Sequence, residues 1–337
     1  MSERGLCMQP EPGLRRIVGA MSWSARTFAR NVSAQALAGA TEPVYARLRG
    51  WIVDTVATRQ DFGIDYDHPV GDQGLFGPDS VTWKIHADFP GMMAGGIAAL
   101  MLQTLHPRAL AGVWDHSRFR SDALGRLRNT TMFVAATTYA PTHHAERIID
   151  IVDRMHARVT GETPEGEPYD ARDPHLLTWV HCTEMAMFLE GYKRYRRADL
   201  PRHVEDAYFR ETRVIAEKLG ARDVPGSAQE MADYFVAIQP ELRFDQRSRD
   251  TLAVLDTMAL PIPVAGVSRR LFLGAGAALL PEWARLRMRR SYRQRVIDRG
   301  AAESLSRIGP VMRAAMSQGV GVRSAARCGA TRDCLNF

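Results

Sequence analysis

The sequence predicts an all-α fold, built as a single large helical domain around a central bundle. Apolar residues recur at helical spacing along most of the chain, as at Val44, Leu48, Trp51 and Val56. Alternating patterns typical of strands are scarce, and no internal repeat of about 20–50 residues is evident. The 337 residues suffice for one large or two ordinary domains.

Composition divides the chain into three parts. Residues 1–40 are rich in Ala, Ser and Arg, and we expect a loosely structured N-terminal arm. Residues 41–312 carry the helical pattern and form the expected domain. Residues 313–337 lack a strong pattern, and we expect a flexible tail.

The basic charge is spread rather than clustered. The net charge is +6, from 44 Lys and Arg against 38 Asp and Glu, and nearly all of the basic residues are arginines. The densest cluster, residues 285–295, follows an apolar run, which is more typical of a helix end or of weak contact with anionic lipid than of nucleic-acid binding. We therefore expect no nucleic-acid partner.

Targeting signals are weak in this sequence. No stretch reaches about 18 uninterrupted apolar residues, so no transmembrane helix is predicted. The N-terminal residues contain arginines but no continuous apolar core, which makes a poor secretory signal. The stretch Ser268–Pro281 resembles a twin-arginine signal but lies far inside the chain, so we interpret it as a buried or interfacial helix. We expect a cytoplasmic protein with at most peripheral membrane contact.

The central helices are marked by their caps and breakers. Gly91–Pro107 is apolar nearly all round and predicts a core helix, in which Gly95 and Gly96 permit close approach of another helix or a flat ligand. Pro107 places His106 at the end of that helix. Asp122 is a candidate start for the next helix, which ends near position 141.

The following segments continue the helical pattern. We predict a turn at Val113–Phe119, a helix over Ala145–Thr160 stopped by Gly161, a surface loop to Pro174, and a long helix over His175–Tyr195. Ser227 is a plausible cap for a later helix, with Glu230 as its capping-box partner.

Polar groups interrupt the apolar faces between Leu102 and Gly161. They are His106, His116, Arg126, Thr130 and His156. Arg126 and Thr130 share one helix face because they are four residues apart. An iron porphyrin needs an axial donor on a rigid helix, apolar walls and a distal donor, and this region supplies each type. We therefore predict a buried haem b pocket.

Other interpretations of these residues remain open. A lone histidine on an apolar helix face is most often a satisfied core residue, and His181, beside Trp179, is as suited to a structural role as to lining a pocket. Asp153 and His156 have the ExxH-like spacing used by non-haem iron bundles, and Glu184 is a possible further carboxylate, but no clear second copy exists. The stretch Gly274–Leu279 lacks the third glycine of a dinucleotide fingerprint, and we reject that function.

Several stretches together resemble the latex-clearing protein and MpaB-type oxygenase family, over roughly residues 71–290. These stretches are LHPRALAGVWDHSRF, RLRNTTMFVAATTYA, VDRMHARVTG, YDARDPHLLTWVH and VPGS. The resemblance implies an all-α fold, bound b-type haem, and cleavage of carbon–carbon double bonds in isoprenoid chains by dioxygen.

The resemblance also implies roles for single residues. Arg126 and Thr130 match the distal Arg and Thr of the latex-clearing branch, and His156 best matches its proximal, iron-binding histidine. Asn129 stands where that branch has a lysine, so a lysine-capped iron is not expected here. We assign Arg126 and Thr130 as catalytic residues and His156 as the iron ligand. The expected cofactor-binding residues are His106, His116, Arg126, His156 and His181.

Two functions are consistent with these observations. The first is a haem b-dependent oxygenase that uses dioxygen on a small apolar, unsaturated substrate such as a lipid or terpenoid. Rubber itself is not expected, because no secretion signal is evident. The second is a non-catalytic helical module, with or without haem, or a non-haem iron protein. The oligomeric state is left open.

Overall fold

The computed structural model describes residues 62–258, 265–316 and 318–337, together with short helical pieces at 43, 45–51 and 53. Within these residues the secondary structure is helical apart from one small hairpin, which confirms the predicted all-α class. Every element named below belongs to one compact unit, within residues 49–337.

The described elements follow one another with short connections. The helices are α1 (Val81–His86), α2 (Phe89–Gln103), α3 (Pro107–His116), α4 (Ala123–Tyr139), α5 (Thr142–His156), α6 (Pro174–Tyr195), α7 (Arg202–Lys218), α8 (Ala228–Ala237), α9 (Gln246–Thr257), α10 (Ala265–Leu279), α11 (Glu282–Arg287), α12 (Tyr292–Ala315) and α13 (Val320–Arg327). Strands β1 (Thr160–Glu162) and β2 (Pro168–Asp170) pair antiparallel. Two 3₁₀ turns occupy Gln239–Glu241 and Arg332–Leu335.

Helix α2 lies at the centre of the fold, packed against α6 and α10. A Cβ atom added at Gly95 would lie 2.4 Å from the carbonyl oxygen of Met187, so the close contact between α2 and α6 requires glycine there. A Cβ at Gly276 of α10 would lie 2.7 Å from the Ile97 side chain. Helix α2 is therefore enclosed by neighbours, as its uniformly apolar sequence predicts, and the prediction of close helix approach at Gly95 is confirmed.

Side-chain caps begin several helices where the sequence predicts them. The Asp122 side chain accepts a hydrogen bond from the Gly125 N–H at the start of α4, and Ser227 accepts one from the Glu230 N–H at the start of α8. The Glu230 carboxylate, however, accepts from the N–H of Gly226 rather than that of Ser227, so the capping box is only half formed. His106 is the N-cap residue of α3, and Pro107 occupies the first helical position, where its missing N–H costs nothing.

Two predicted boundaries are wrong. The predicted turn at 113–119 is instead helical as far as His116, because Pro107 starts a new helix that continues for ten residues. Helix α5 ends at His156 rather than at Thr160, because Thr160–Glu162 leaves the helix to pair with Pro168–Asp170. The predicted surface loop before α6 therefore contains a hairpin.

The expected C-terminal tail, residues 313–337, contains helix α13. Arg327 in this helix is only 2% exposed and donates hydrogen bonds to the backbone carbonyls of Tyr66, Asp72 and Tyr139. The sequence gives little sign of this packing, because the buried positions of α13 are occupied by small residues and by an arginine rather than by large apolar side chains.

Helix α10 contains the internal stretch that resembles a twin-arginine signal. Phe272, Ala275 and Ala277 of this helix are buried, and the helix packs on α2 and α12. The interpretation as a buried helix is confirmed, and the glycines of the rejected dinucleotide motif serve helix packing. Among the helices that the structure describes, none combines the length and the apolar composition needed to cross a membrane.

Candidate functional site

Three predicted or possible site residues lie together inside the helical domain. Arg126 on α4 interacts electrostatically with Glu184 on α6 and with His156 at the C-terminal end of α5. We call Arg126, His156 and Glu184 the interior group. It brings a cation, an imidazole and a carboxyl group together from three different helices.

Glu184 has the most perturbed acid–base chemistry of the interior group. Burial raises the pKa of its carboxyl group to about 7, although a hydrogen bond from the Gln103 side chain and the charge of Arg126 both act to lower that pKa. The Gln103 amide also donates to the Thr183 hydroxyl, at 3.1 Å between Nε2 and Oγ1. Glu184 is therefore divided between its neutral and charged forms near neutral pH.

His156 is suited to metal coordination. Burial lowers the pKa of its imidazole, and the nearby positive charge of Arg126 lowers that pKa further, against the opposing effect of Asp153. The ring is therefore neutral at neutral pH, which is the form that binds metals. Asp153, one turn earlier, is held in an ion pair by Arg172, with 2.9 Å between Nε and Oδ1. This ion pair occupies the carboxylate that the non-haem interpretation requires.

Thr130 lies one helical turn after Arg126 on α4. Its side chain is half-buried, and the structure shows no hydrogen bond for its hydroxyl among the described residues. Other threonines on α4 differ in this respect, since the Thr137 hydroxyl donates to the Phe133 carbonyl at 2.9 Å. Thr130 and Arg126 lie on the same face of α4 because they are four residues apart.

His181 is buried one turn before Glu184 on the same helix. Burial lowers the pKa of its imidazole to about 4, and its proximity also lowers the pKa of His86. The His86 ring is fully engaged, with Nδ1 2.8 Å from the Thr138 hydroxyl and Nε2 2.9 Å from the Tyr208 hydroxyl. His181 thus extends the polar interior from Glu184 toward His86 on α1.

His116 does not join the interior group. It is exposed at the end of α3, where its Nε2 lies 3.1 Å from the Thr160 carbonyl oxygen and 3.2 Å from the Tyr169 hydroxyl. The Tyr169 hydroxyl in turn donates to Asp115 at 2.8 Å. In the structure His116 contacts both strands of the β-hairpin from the end of α3.

His106 lies in a different cluster from the other predicted residues. Its side chain is 2% exposed, and its Nε2 lies 3.4 Å from the Glu241 Oε2 atom. The same carboxylate oxygen lies 2.8 Å from the Nε2 atom of His175. We call His106, His175 and Glu241 the histidine–glutamate cluster. No contact that the described residues show joins His106 to Arg126, Thr130 or His156.

A comparison with protein families decides the classification. Residues 83–314 match the family described as "ER-bound oxygenase mpaB/B'/Rubber oxygenase, catalytic domain". The chain belongs to the MpaB and rubber oxygenase family. Comparisons with curated proteins and with solved structures found no match. The matched span includes both the interior group and the histidine–glutamate cluster, and the family is one of oxygenases.

Several residues in or beside these two groups are not singled out by the sequence. Gln103 and His86 carry no motif, and Glu184 is identified only as a possible carboxylate of a non-haem iron site. His175 follows Asp173 and Pro174 at a helix start, where exposure is the usual expectation. Glu241 lies in a short 3₁₀ turn, and nothing in the local sequence relates it to His106.

Proposed function

We propose that this protein is a haem b-dependent oxygenase that uses dioxygen on an apolar, unsaturated substrate of isoprenoid or lipid type. The observation that supports the proposal is the interior group, in which a neutral imidazole interacts electrostatically with a desolvated cation, within the span that matches the catalytic domain of an oxygenase family. Cleavage of the double bond balances without a further reductant, because one O₂ molecule and one C=C bond give two carbonyl groups.

The electrostatics of the interior group support a desolvated site. Arg126 and Glu184 lie on different helices and interact electrostatically. Both side chains keep some accessible surface, yet burial is the largest cause of each pKa shift.

The donor set fits haem. His156 would hold the iron, since its ring is neutral, lies at the end of a helix and makes no hydrogen bond to the described residues. His181, whose low pKa also keeps it neutral, would line the pocket from α6. When bound, haem supplies the iron that activates dioxygen, and the protein supplies orientation, electrostatics and exclusion of water.

Arg126 and Thr130 would act on the reacting oxygen. Both are donors on one face of α4, and a buried cation stabilises negative charge far more strongly than an exposed one. Glu184 balances the charge of Arg126 and, with a pKa of about 7, holds a proton in part of the molecules at neutral pH. Asn129 carries no charge in place of the lysine of the latex-clearing branch, so Arg126 is the cation that this helix directs toward the pocket.

Absorption spectra and oxygen uptake test the proposal together. We expect purified protein to show a Soret band and about one haem per chain, and to consume dioxygen in the presence of short isoprenoids while releasing aldehydes or ketones. Saturated analogues of the same length serve as matched controls and should cause no uptake. Protein with neither a Soret band nor substrate-dependent uptake would overturn the proposal, and iron without a Soret band would instead support the non-haem alternative.

A further inference from the structure

Among the described residues, no contact joins the histidine–glutamate cluster to Arg126, His156 or Glu184, and the cluster has the dimensions of a metal site. One ligand atom from each of His106, His175 and Glu241 falls within 4.8 Å of the other two. The shared carboxylate oxygen lies 2.8 Å from one imidazole nitrogen and 3.4 Å from the other. Ligands bound tetrahedrally to one zinc ion at about 2.0–2.1 Å lie about 3.3 Å apart, so these separations match a common ion.

The backbone holds the three side chains in place without help from a metal. His106 caps α3 immediately before Pro107, and its carbonyl accepts a hydrogen bond from the Leu110 N–H at 2.9 Å. The N–H of His175 donates to the Asp173 side chain at the start of α6, also at 2.9 Å. The segment carrying Glu241 is tied to the end of α2 by a 2.7 Å hydrogen bond from the Arg243 N–H to the Leu105 carbonyl. The site is therefore preorganised.

Buried polar atoms without hydrogen-bond partners occur in this cluster and in two neighbouring residues. The Nδ1 atom of His106 is buried without a hydrogen-bond partner among the described residues, and its Nε2 atom has only the 3.4 Å contact with Glu241, which does not meet hydrogen-bond geometry. The indole N–H of Trp179 and the hydroxyl of Tyr234 also have no hydrogen-bond partner among the described residues. The ring centroid of Trp179 lies 6.0 Å from that of His106. Buried polar groups without partners are rare and indicate a missing ligand or water. A metal ion on the Nε2 atom of His106 would satisfy one of them.

We propose that His106, His175 and Glu241 bind one divalent transition-metal ion of the zinc type, at a site separate from the proposed haem site. Two imidazole nitrogens and one carboxylate oxygen are a zinc or iron(II) donor set, whereas calcium and magnesium prefer oxygen ligands alone. Because the protein provides three ligands, at least one coordination position is left for water or an anion. The Trp179 ring lies against His106, and Tyr234 interacts electrostatically with Glu241.

Zinc titration of the full-length protein tests the proposal directly. Protein freed of loosely bound metal by EDTA and dialysis is titrated with ZnCl₂ by calorimetry. We expect one saturable equivalent and a rise in melting temperature, because the ion links the starts of α3 and α6 to the turn at Gln239–Glu241. Co²⁺ substitution should give the visible absorption bands of a four-coordinate nitrogen and oxygen site.

Variants at the two exposed ligands, His175 and Glu241, test whether these side chains bind a metal ion or only form an ion pair. His175→Ala and Glu241→Gln are each expected to weaken zinc binding at least about tenfold while leaving the Soret band unchanged. These side chains are 39% and 44% exposed, so both variants should fold, unlike a change at the buried His106. His203→Ala, at an exposed histidine of α7, is the matched control.

Two results would overturn the metal site. One is wild-type protein that binds no saturable equivalent of zinc. The other is a His175→Ala or Glu241→Gln variant that binds zinc as the wild type does. Neither result concerns haem content, so the failure of this proposal and the failure of the proposed function are distinguishable.

Discussion

The interior group and the histidine–glutamate cluster use similar residue types in different surroundings. The interior group pairs a buried cation with a carboxyl group whose pKa is raised to about 7, and places a neutral histidine beside them. The cluster joins two histidines to a carboxylate that is 44% exposed. Both groups draw on α6, through Glu184 in its middle and His175 in its first turn. Burial and charge balance, more than residue type, therefore determine which chemistry each group can support.

The largest expected effect is at Arg126. Arg126→Ala removes the cation from the interior group, and loss of one well-placed donor to developing charge typically lowers a rate by about 100- to 1000-fold. We expect turnover to fall by this amount while haem content and zinc binding are kept. Arg118→Ala, at an exposed arginine that precedes α4, is the matched control. Oxygen uptake and Soret absorbance are measured on the same samples.

Thr130→Val removes the hydroxyl group and keeps nearly the same side-chain shape. We expect a loss of turnover in the same direction, with Thr131→Val as the control one position along the helix.

If Arg126→Ala loses haem in proportion to activity, then Arg126 anchors the cofactor instead. If the Arg126 and Thr130 variants both keep haem and turn over normally, the distal-site assignment is wrong.

The second effect concerns the contact of α2 with α6, the helix on which both groups depend. Gly95→Ala would place a methyl group 2.4 Å from the Met187 carbonyl oxygen, so the helices must separate. We expect a loss of about 3 kcal/mol in the free energy of unfolding, with weaker haem and zinc binding together. Gly96→Ala is the control, because its nearest contact is an ordinary 3.6 Å to Phe188. Equal melting temperatures for the two variants would contradict the close packing.

The smallest effect is a pH dependence caused by Glu184. Its pKa of about 7 in the folded protein exceeds its ordinary value of 4.5, so the folded state binds the proton more tightly than the unfolded state. The free energy of unfolding should therefore fall as the pH rises from about 4.5 to 7. Glu184→Gln should remove this contribution, on the order of 1 kcal/mol after screening. The free energy of unfolding is measured by denaturant titration at several pH values for the wild type and for Glu184→Gln. The same dependence on pH in both proteins would contradict the assignment to Glu184.

The sequence predicts the helices better than it predicts the sites. Local periodicity and capping, which act over one or two helical turns, predict three features of the fold. These features are the core position of α2, the close contact at Gly95 and the start of α4 at Asp122. The sharing of one face by Arg126 and Thr130 follows from the same spacing rule.

The composition of the histidine–glutamate cluster does not follow from local rules. Proximity in the chain suggests that His106 belongs with His156, yet the structure joins it to His175 and Glu241, which lie far along the sequence. Chain proximity is a poor guide here because a helix end can direct a side chain to either side of the core. The burial of Arg327 is equally hard to predict, since its partners are backbone carbonyls, which no sequence pattern reveals.

The most direct test of the account compares His156→Gln with His106→Gln. Glutamine preserves much of the side-chain volume, which limits the cost of a cavity. We measure haem per chain and the axial-ligand absorption spectrum of each variant beside the wild type. The account predicts that His156→Gln loses haem or shows a changed axial-ligand spectrum, while His106→Gln keeps both the haem and the wild-type spectrum. Full haem with an unchanged spectrum in His156→Gln, or loss of haem only in His106→Gln, would contradict it.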